Sequence, residues 1–208
     1  MDGVFMKKMI KLAGITMLLL SLFYIGALIA DKRILRNDVV RLHVVANSDC
    51  DQDQKVKLAV RDAIINFLQR DVASLDNATQ AKTYLQERLP KLEELANSTL
   101  VKLGSDDKAK VSLGTDAFDI REYDTFSLPS GIYDSLRVEI GKAEGRNWWC
   151  VVFPALCVPT STQDFENVAA SAGFHQSLVN TLTAEDGYEI RFFFLDCLGK
   201  LEKIFAFS

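Results

Sequence analysis

The chain has 208 residues, of which 49% are hydrophobic and 25% are charged, and its formal net charge is -4. This composition is typical of one globular domain with additional apolar material. The first 30 residues carry three lysines and one aspartate, so the remainder has a charge of about -6. An acidic domain of this kind is a poor nucleic-acid binder, and no nucleic-acid partner is predicted.

The additional apolar material lies at the N-terminus. Three lysines at residues 7–11 precede an uncharged run over residues 12–30, which is typical of an export segment, either a cleaved signal peptide or a membrane anchor. As a helix the run reaches about 28 Å, close to the hydrocarbon thickness of a bilayer. Its cleavage pattern is poor, because Ile25 and Leu28 stand where a small residue is required. Both interpretations stay open, and either places the rest of the chain across the membrane.

A strand and a helix are predicted directly after the export segment. Residues 39–46 form a short β-branched run that predicts a buried strand, and polar residues end it. Apolar residues then recur at helical spacing over residues 56–68. Between them, Asn47, Ser48 and Asp49 either cap the helix or form a partner-contacting loop. Ser48 is not predicted to be a nucleophile, because no base or nucleophile elbow accompanies it.

The middle of the chain changes from helical to strand periodicity. A second helical pattern begins at Asn77, is expected to kink or restart at Pro90, and stops near Gly104. Alternation around residues 111–113 and 136–140 then predicts two strands.

The last third contains one more predicted strand and a distinct tail. Residues 146–153 are aromatic and β-branched and predict a strand, whereas residues 159–166 are polar and predict a linker. Residues 188–207 begin with strand-like alternation and continue as an amphipathic stripe. That stripe is typical of a terminal helix that packs on the domain or lies on a membrane.

These elements predict an α+β fold. An N-terminal membrane or signal helix is followed by helices packed on one face of a mostly antiparallel sheet, and a C-terminal amphipathic helix ends the chain. The predicted division is a signal peptide or anchor at residues 1–30, an exported domain at residues 31–158, and a linker with a C-terminal strand or helix segment at residues 159–208.

Adjacent tryptophans mark the strand at residues 146–153. Because successive side chains of a strand point to opposite faces, Trp148 and Trp149 are expected to face opposite sides. One ring then lies in the core, and the other is a candidate interface residue. The alternative is that helices cover both faces of the sheet.

The even number of cysteines in an exported chain permits disulfides. Cys150 and Cys157 are the predicted pair, since Pro154 between them can turn the chain back. Two buried thiols are the alternative. Cys50 and Cys197 have no assigned role.

Metal, cofactor and catalytic sites are not predicted. His43 and His175 lie far from any recognisable ligand spacing, and His43 is expected to be an ordinary residue of the first strand. Paired carboxylates such as Asp49 and Asp53, with Glu139 or Glu144, leave a cell-wall hydrolase as an alternative. Nothing in the sequence holds them together.

Three spaced motifs in order resemble the stage II sporulation protein R family. They comprise a strand ending in Ala-Asn-Ser-Asp with the helix start after it, a central Leu-Pro-Ser-Gly-Ile-Tyr turn, and a Trp-Trp-Cys block. They lie at residues 41–62, 128–133 and 147–157, and residues 188–192 resemble the family's C-terminal segment. His43, Cys50 and Cys197 depart from the family's pattern.

The resemblance implies an exported signalling protein and not an enzyme. Such a protein is made in the forespore, crosses its membrane into the intermembrane space, and activates a membrane-embedded aspartic protease of the mother cell. That protease matures a precursor sigma factor. The expected partners are this protease and the membrane, through residues 12–30, with no small-molecule substrate. The candidate contact residues are Asn47, Ser48, Asp49, Trp148 and Trp149. A structural envelope protein is a further alternative.

Overall fold

The computed structural model describes residues 2–123, 125–155, 162–183 and 190–206. Helices and strands follow one another in this order: α1 (Asp2–Asp38), β1 (Val40–Val45), α2 (Asp51–Val72), α3 (Ala78–Lys102), β2 (Ala109–Phe118), β3 (Arg121–Glu122), β4 (Ser127–Leu128), β5 (Gly131–Ile140), β6 (Asn147–Phe153), α4 (Thr162–Ser171), α5 (Gln176–Thr183) and α6 (Ile190–Ala206).

A mixed sheet of four strands forms the centre of the fold. The strand order is β2-β5-β1-β6, and β3 and β4 form a separate two-stranded ribbon. β2 and β6 run antiparallel to their neighbours, whereas β1 and β5 are parallel. The parallel pair requires a long crossover, which α2, α3 and β2 supply. The predicted α+β fold is confirmed.

One face of the sheet is covered by α2 and α3. Alternate residues of each strand point to this face, because the side-chain period of a strand is two. Those of β1 and β5 are at most 1% exposed and pack against apolar stripes of both helices: Val40, Leu42, Val44, Leu136, Val138 and Ile140. α3 is a single helix that continues through Pro90, so the predicted restart at this residue is wrong.

The other face is covered over one half by helices from both ends of the chain. The end of α1 contributes Leu28 and Leu35, and α4, α5 and α6 contribute Phe165, Leu178 and Leu195, all at most 4% exposed. Helices therefore lie on both faces.

The tail differs from its prediction in two places. Thr162–Ser171 is helical, so the predicted linker is wrong over residues 162–166. The strand-like alternation is also wrong from Ile190 onward, where α6 begins. Residues 156–161 and 184–189 lie outside the described residues.

The first helix is much longer than the apolar run that predicted it. Its stretch from Phe5 to Asp38 is long and apolar enough to cross a membrane, and nearly all of its most apolar part is exposed. Only the last part of α1 packs on the domain, through Leu28, Asp31 and Leu35. A helix with an exposed apolar part and an end that packs on the domain fits a signal sequence or a membrane anchor.

Helix α6 is fixed to the domain by a buried turn between β4 and β5. Asp196 accepts hydrogen bonds from the backbone N–H of Ser130, at 2.9 Å, and from its hydroxyl. Gly199 allows α6 to approach the Ser130 carbonyl, since a side chain there would overlap it. From α1, Lys32 pairs with Glu202 at 3.1 Å.

A buried carboxylate makes a second link between α1 and the tail. Asp31 is 1% exposed, and its carboxylate oxygens lie 2.7 Å from Nε of Arg191 on α6 and 2.9 Å from Nε2 of His175, which precedes α5. The first and last helices are therefore joined by ion pairs as well as by apolar packing.

Candidate partner-contact surface

Two loops meet at the end of the sheet where β1 ends. Gly145 donates its N–H to the carbonyl of Ala46 at 2.9 Å, and Glu144 donates to the carbonyl of Asn47 at 3.2 Å. Oδ1 of Asn47 accepts from the N–H of Lys142 at 3.0 Å. We call residues 46–54 and 141–146 the loop junction. It brings the first predicted motif next to the start of β6, which carries the tryptophans.

Asp53 lies at the centre of the loop junction. Its Oδ2 accepts hydrogen bonds from the Ser48 hydroxyl at 2.6 Å and from Nδ2 of Asn47 at 2.9 Å. These bonds, that of Ser48 first, hold the pKa of the Asp53 carboxyl below its usual range. The ionised carboxylate therefore serves as the shared acceptor of both side chains.

The predicted helix cap is displaced by one residue. Cys50, not Ser48 or Asp49, is the N-cap of α2, and its Sγ accepts from the N–H of Asp53 at 3.4 Å. Ser48 instead binds the Asp53 side chain. Asp49 accepts from the N–H of Arg146 at 2.6 Å. Asn47 and Asp49 thus connect the two loops, whereas Ser48 binds within its own loop. Asp49 is also exposed to solvent.

A buried lysine completes the loop junction. Lys57 is 4% exposed and donates to Oε1 of Gln54 at 2.6 Å and to the carbonyl of Arg146 at 2.9 Å. Gln54 in turn donates to the carbonyl of Ser48 at 2.9 Å. Burial lowers the pKa of the Lys57 amine. Sequence reasoning missed this residue, because a lysine in an amphipathic helix is normally solvated.

The two tryptophans face opposite sides of the sheet, as their adjacency predicts. Trp148 lies on the α2 side, where the guanidinium of Arg61 is 4.1 Å from the ring centroid. Trp149 lies on the other side, stacked on His43 at 3.9 Å with its edge toward Phe118. Both rings are only partly buried. Their role in binding stays a prediction.

A row of charged side chains lies beside Trp149. Nδ1 of His43 lies 3.1 Å from Oδ2 of Asp116 on β2. The guanidinium of Arg137 on β5 lies 3.0 Å from a carboxylate oxygen of Asp116 and 3.0 Å from one of Glu139. Burial disfavours the ionised form of Asp116, but the hydrogen bond from His43 and the nearby positive charge outweigh it, so its pKa is lowered. His43 is therefore a partnered residue of the sheet through Nδ1, as expected.

This row belongs to the part of the second sheet face on which none of the described helices packs. Lys110, Gly114 and Asn147 are exposed there, and a Cβ built on Gly114 meets no atom within 4 Å. We call this surface the open sheet face; its residues are Lys110, Ser112, Gly114, Asp116, Arg137, Glu139, His43, Asn147 and Trp149. Its signal in the sequence is the alternation of Arg137 and Glu139 with apolar residues of β5.

The cysteines and histidines form no metal site in the part of the chain that the structure describes. Cys150 is buried and disulfide-bonded. Cys157 lies outside the described residues, so its pairing with Cys150 stays a prediction. Cys50 and Cys197 are free thiols.

These features define a class of protein: an α+β domain that follows an N-terminal helix long and apolar enough to cross a membrane, with its sequence motifs in loops and on a sheet face. A family model described as Stage II sporulation protein R matches residues 36–163, more than half of the chain, and the chain belongs to this family. It is 28% identical over 186 residues to the Stage II sporulation protein R of Bacillus subtilis (strain 168), covering 81% of this chain and 83% of that protein. No solved structure matches. Membership supports a role in sporulation, and the family name describes no catalytic activity.

Proposed function

We propose that this chain is an exported sporulation signal that activates a membrane-embedded aspartic protease in the facing mother-cell membrane, which then matures a precursor sigma factor. The observation that carries the proposal is the position of the loop junction relative to α1. α1 ends at Asp38 and β1 begins at Val40, whereas the loop junction follows the other end of β1. Six strand residues span about 20 Å. The Ala-Asn-Ser-Asp end of the first motif and the start of the Trp-Trp-Cys block thus lie at the end of the sheet distant from the membrane helix. The central turn lies at the opposite end, where Lys32 of α1 donates to the carbonyl of Ser130 at 3.4 Å.

The loop junction and the open sheet face are adjacent and together offer a contact surface of suitable chemistry. In the sheet register, His43 lies opposite Trp149 and Val45 opposite Asn147. A partly exposed tryptophan surrounded by charged groups of both signs is typical of a protein-binding surface. This supports activation by contact.

We propose further that α1 is retained as an anchor. Its helix runs unbroken through Ala27 and Ala30, the candidate cleavage residues, into the domain. Leu28 is 4% exposed and Asp31 is 1% exposed, so both ends of such a cleavage site lie within packed structure. Cleavage after Ala30 would also remove Leu28 from the core.

The anchor predicts one membrane-bound species that keeps its N-terminal segment. In sporulating cells, a C-terminally tagged chain is expected in the membrane fraction at full length by immunoblot. A chain that begins at residue 31 serves as the size control. A soluble product whose N-terminus lies between residues 28 and 31, determined by N-terminal sequencing, would contradict retention and favour a signal peptide.

The activator role predicts that processing of the sigma-factor precursor depends on this chain. Cells that carry the protease and the precursor are compared with and without the chain, and the mature sigma factor is measured by immunoblot. A chain lacking residues 1–30 is the matched control, because it is not exported and is expected to leave the precursor unprocessed. Equal amounts of mature sigma factor with and without the chain would contradict the proposal and favour a structural envelope protein.

A further inference from the structure

Helix α6 is apolar on two sides, only one of which packs on the domain. Phe192 and Leu195 face inward and are at most 4% exposed. Five other apolar residues are exposed by 43 to 79% and fall, at 100° per residue, within an arc of about 120°. We call them the outer arc: Phe193, Phe194, Leu201, Ile204 and Phe205. A contiguous apolar surface of this kind marks an interaction site.

The outer arc adjoins the membrane helix. The ring of Phe194 meets the ring of Tyr24 edge-on, with centroids 6.2 Å apart. Tyr24 is 39% exposed and belongs to the apolar part of α1. Ion pairs of α6 with Asp31 and Lys32 fix the two helices relative to each other. The exposed apolar surface of α1 therefore continues onto α6.

A lysine borders the outer arc on its own helix. Lys200 falls about 20° from Phe193 at 100° per residue, and its side chain is 62% exposed while it pairs with Asp196 at 2.7 Å. A cation beside an apolar helix face is typical of helices that lie in the headgroup region of a bilayer.

We infer that the outer arc of α6 inserts into the surface of the same lipid bilayer that α1 enters. The continuity with α1 selects a bilayer over a second copy of the chain, because insertion of α1 brings Tyr24 and its neighbour Phe194 to lipid. The domain is then held at two points, which fixes the direction of the loop junction relative to the membrane. The inference rests on the retained anchor and not on protease activation.

A lipid-quenching experiment on the full chain tests the inference. Cys50→Ser and Cys197→Ser remove the two free thiols, and Leu201→Cys introduces a label site in the outer arc for an environment-sensitive fluorophore. The chain is reconstituted in phosphatidylglycerol and phosphatidylethanolamine vesicles that contain nitroxide-labelled lipid. Quenching at residue 201 is expected to exceed, several-fold, that of a label on native Cys50 in a Cys197→Ser chain. The double serine variant without Leu201→Cys is the labelling blank.

Two outcomes would overturn the inference. Equal, weak quenching at residue 201 and Cys50, in vesicles whose chains resist alkaline extraction, would show that α1 inserts while α6 remains in water. Efficient disulfide dimerisation through residue 201 without quenching would assign the outer arc to a second copy. Neither readout involves the protease, so failure here is distinct from failure of the activator role.

Discussion

Replacing Gly199 with alanine is expected to release α6 from the domain and to lower the free energy of unfolding by about 2–3 kcal/mol. A Cβ at this residue would lie 1.5 Å from the carbonyl oxygen of Ser130 and 2.4 Å from its carbonyl carbon. Ser130 is fully buried, and the obstructing atoms are backbone, which cannot rotate away. The helix must therefore move.

Displacement of α6 would also break the polar contacts beneath it. Asp196 is 6% exposed and accepts from both the N–H and the hydroxyl of Ser130. Each buried polar group left without a partner costs about 1–3 kcal/mol. Intrinsic helix propensity has the opposite sign, since alanine in place of glycine stabilises a helix by about 1 kcal/mol. Destabilisation therefore reports docking of α6 and not helix formation.

Urea unfolding and limited proteolysis of the full chain in detergent micelles would measure this effect. Earlier cleavage within residues 184–206 is expected for Gly199→Ala. Gly114→Ala is the matched control, because its Cβ meets no atom within 4 Å, and its stability should change by less than about 0.5 kcal/mol. Equal stability of the two variants would contradict the close approach of α6 to Ser130.

The elements that were predictable are those with strong local periodicity. β1, α2 and β5 each carry the spacing of their own structure, because burial on one face imposes that period. The restart predicted at Pro90 was wrong, because this residue is exposed and its effect on α3 is local. The strand-like alternation predicted from Ile190 onward was wrong, because a helix with two apolar sides produces a pattern that resembles the alternation of a strand.

The site was only partly predictable, because its parts come from distant segments. Adjacency alone places Trp148 and Trp149 on opposite faces. The contact of His43 with Asp116, which are 73 residues apart, requires both the parallel β1–β5 pairing and the β2–β5 register. No local pattern encodes such pairing. The motif at Asn47 was visible, but its use in tying two loops together was not.

Placing an arginine at Gly114 is expected to reduce sigma-factor processing at least tenfold while leaving the domain folded. Gly114 is exposed on the open sheet face and has free space around it, so a long side chain can stand there without displacing a neighbour. Such a side chain would hold a docking partner away from Arg137, His43 and Trp149. A tenfold effect corresponds to about 1.4 kcal/mol of binding free energy, a modest loss for an obstructed interface.

Thr115→Arg supplies the matched control, because Thr115 is the next residue, is also exposed, and points to the opposite face of the same strand. The two variants carry the same added charge, so a difference in processing at equal protein level assigns the contact to one face. Processing that is normal in both would exclude the open sheet face. Since the loop junction lies at the distal end of β1 independently of this face, the contact would then be sought among its exposed residues, beginning with Asp49.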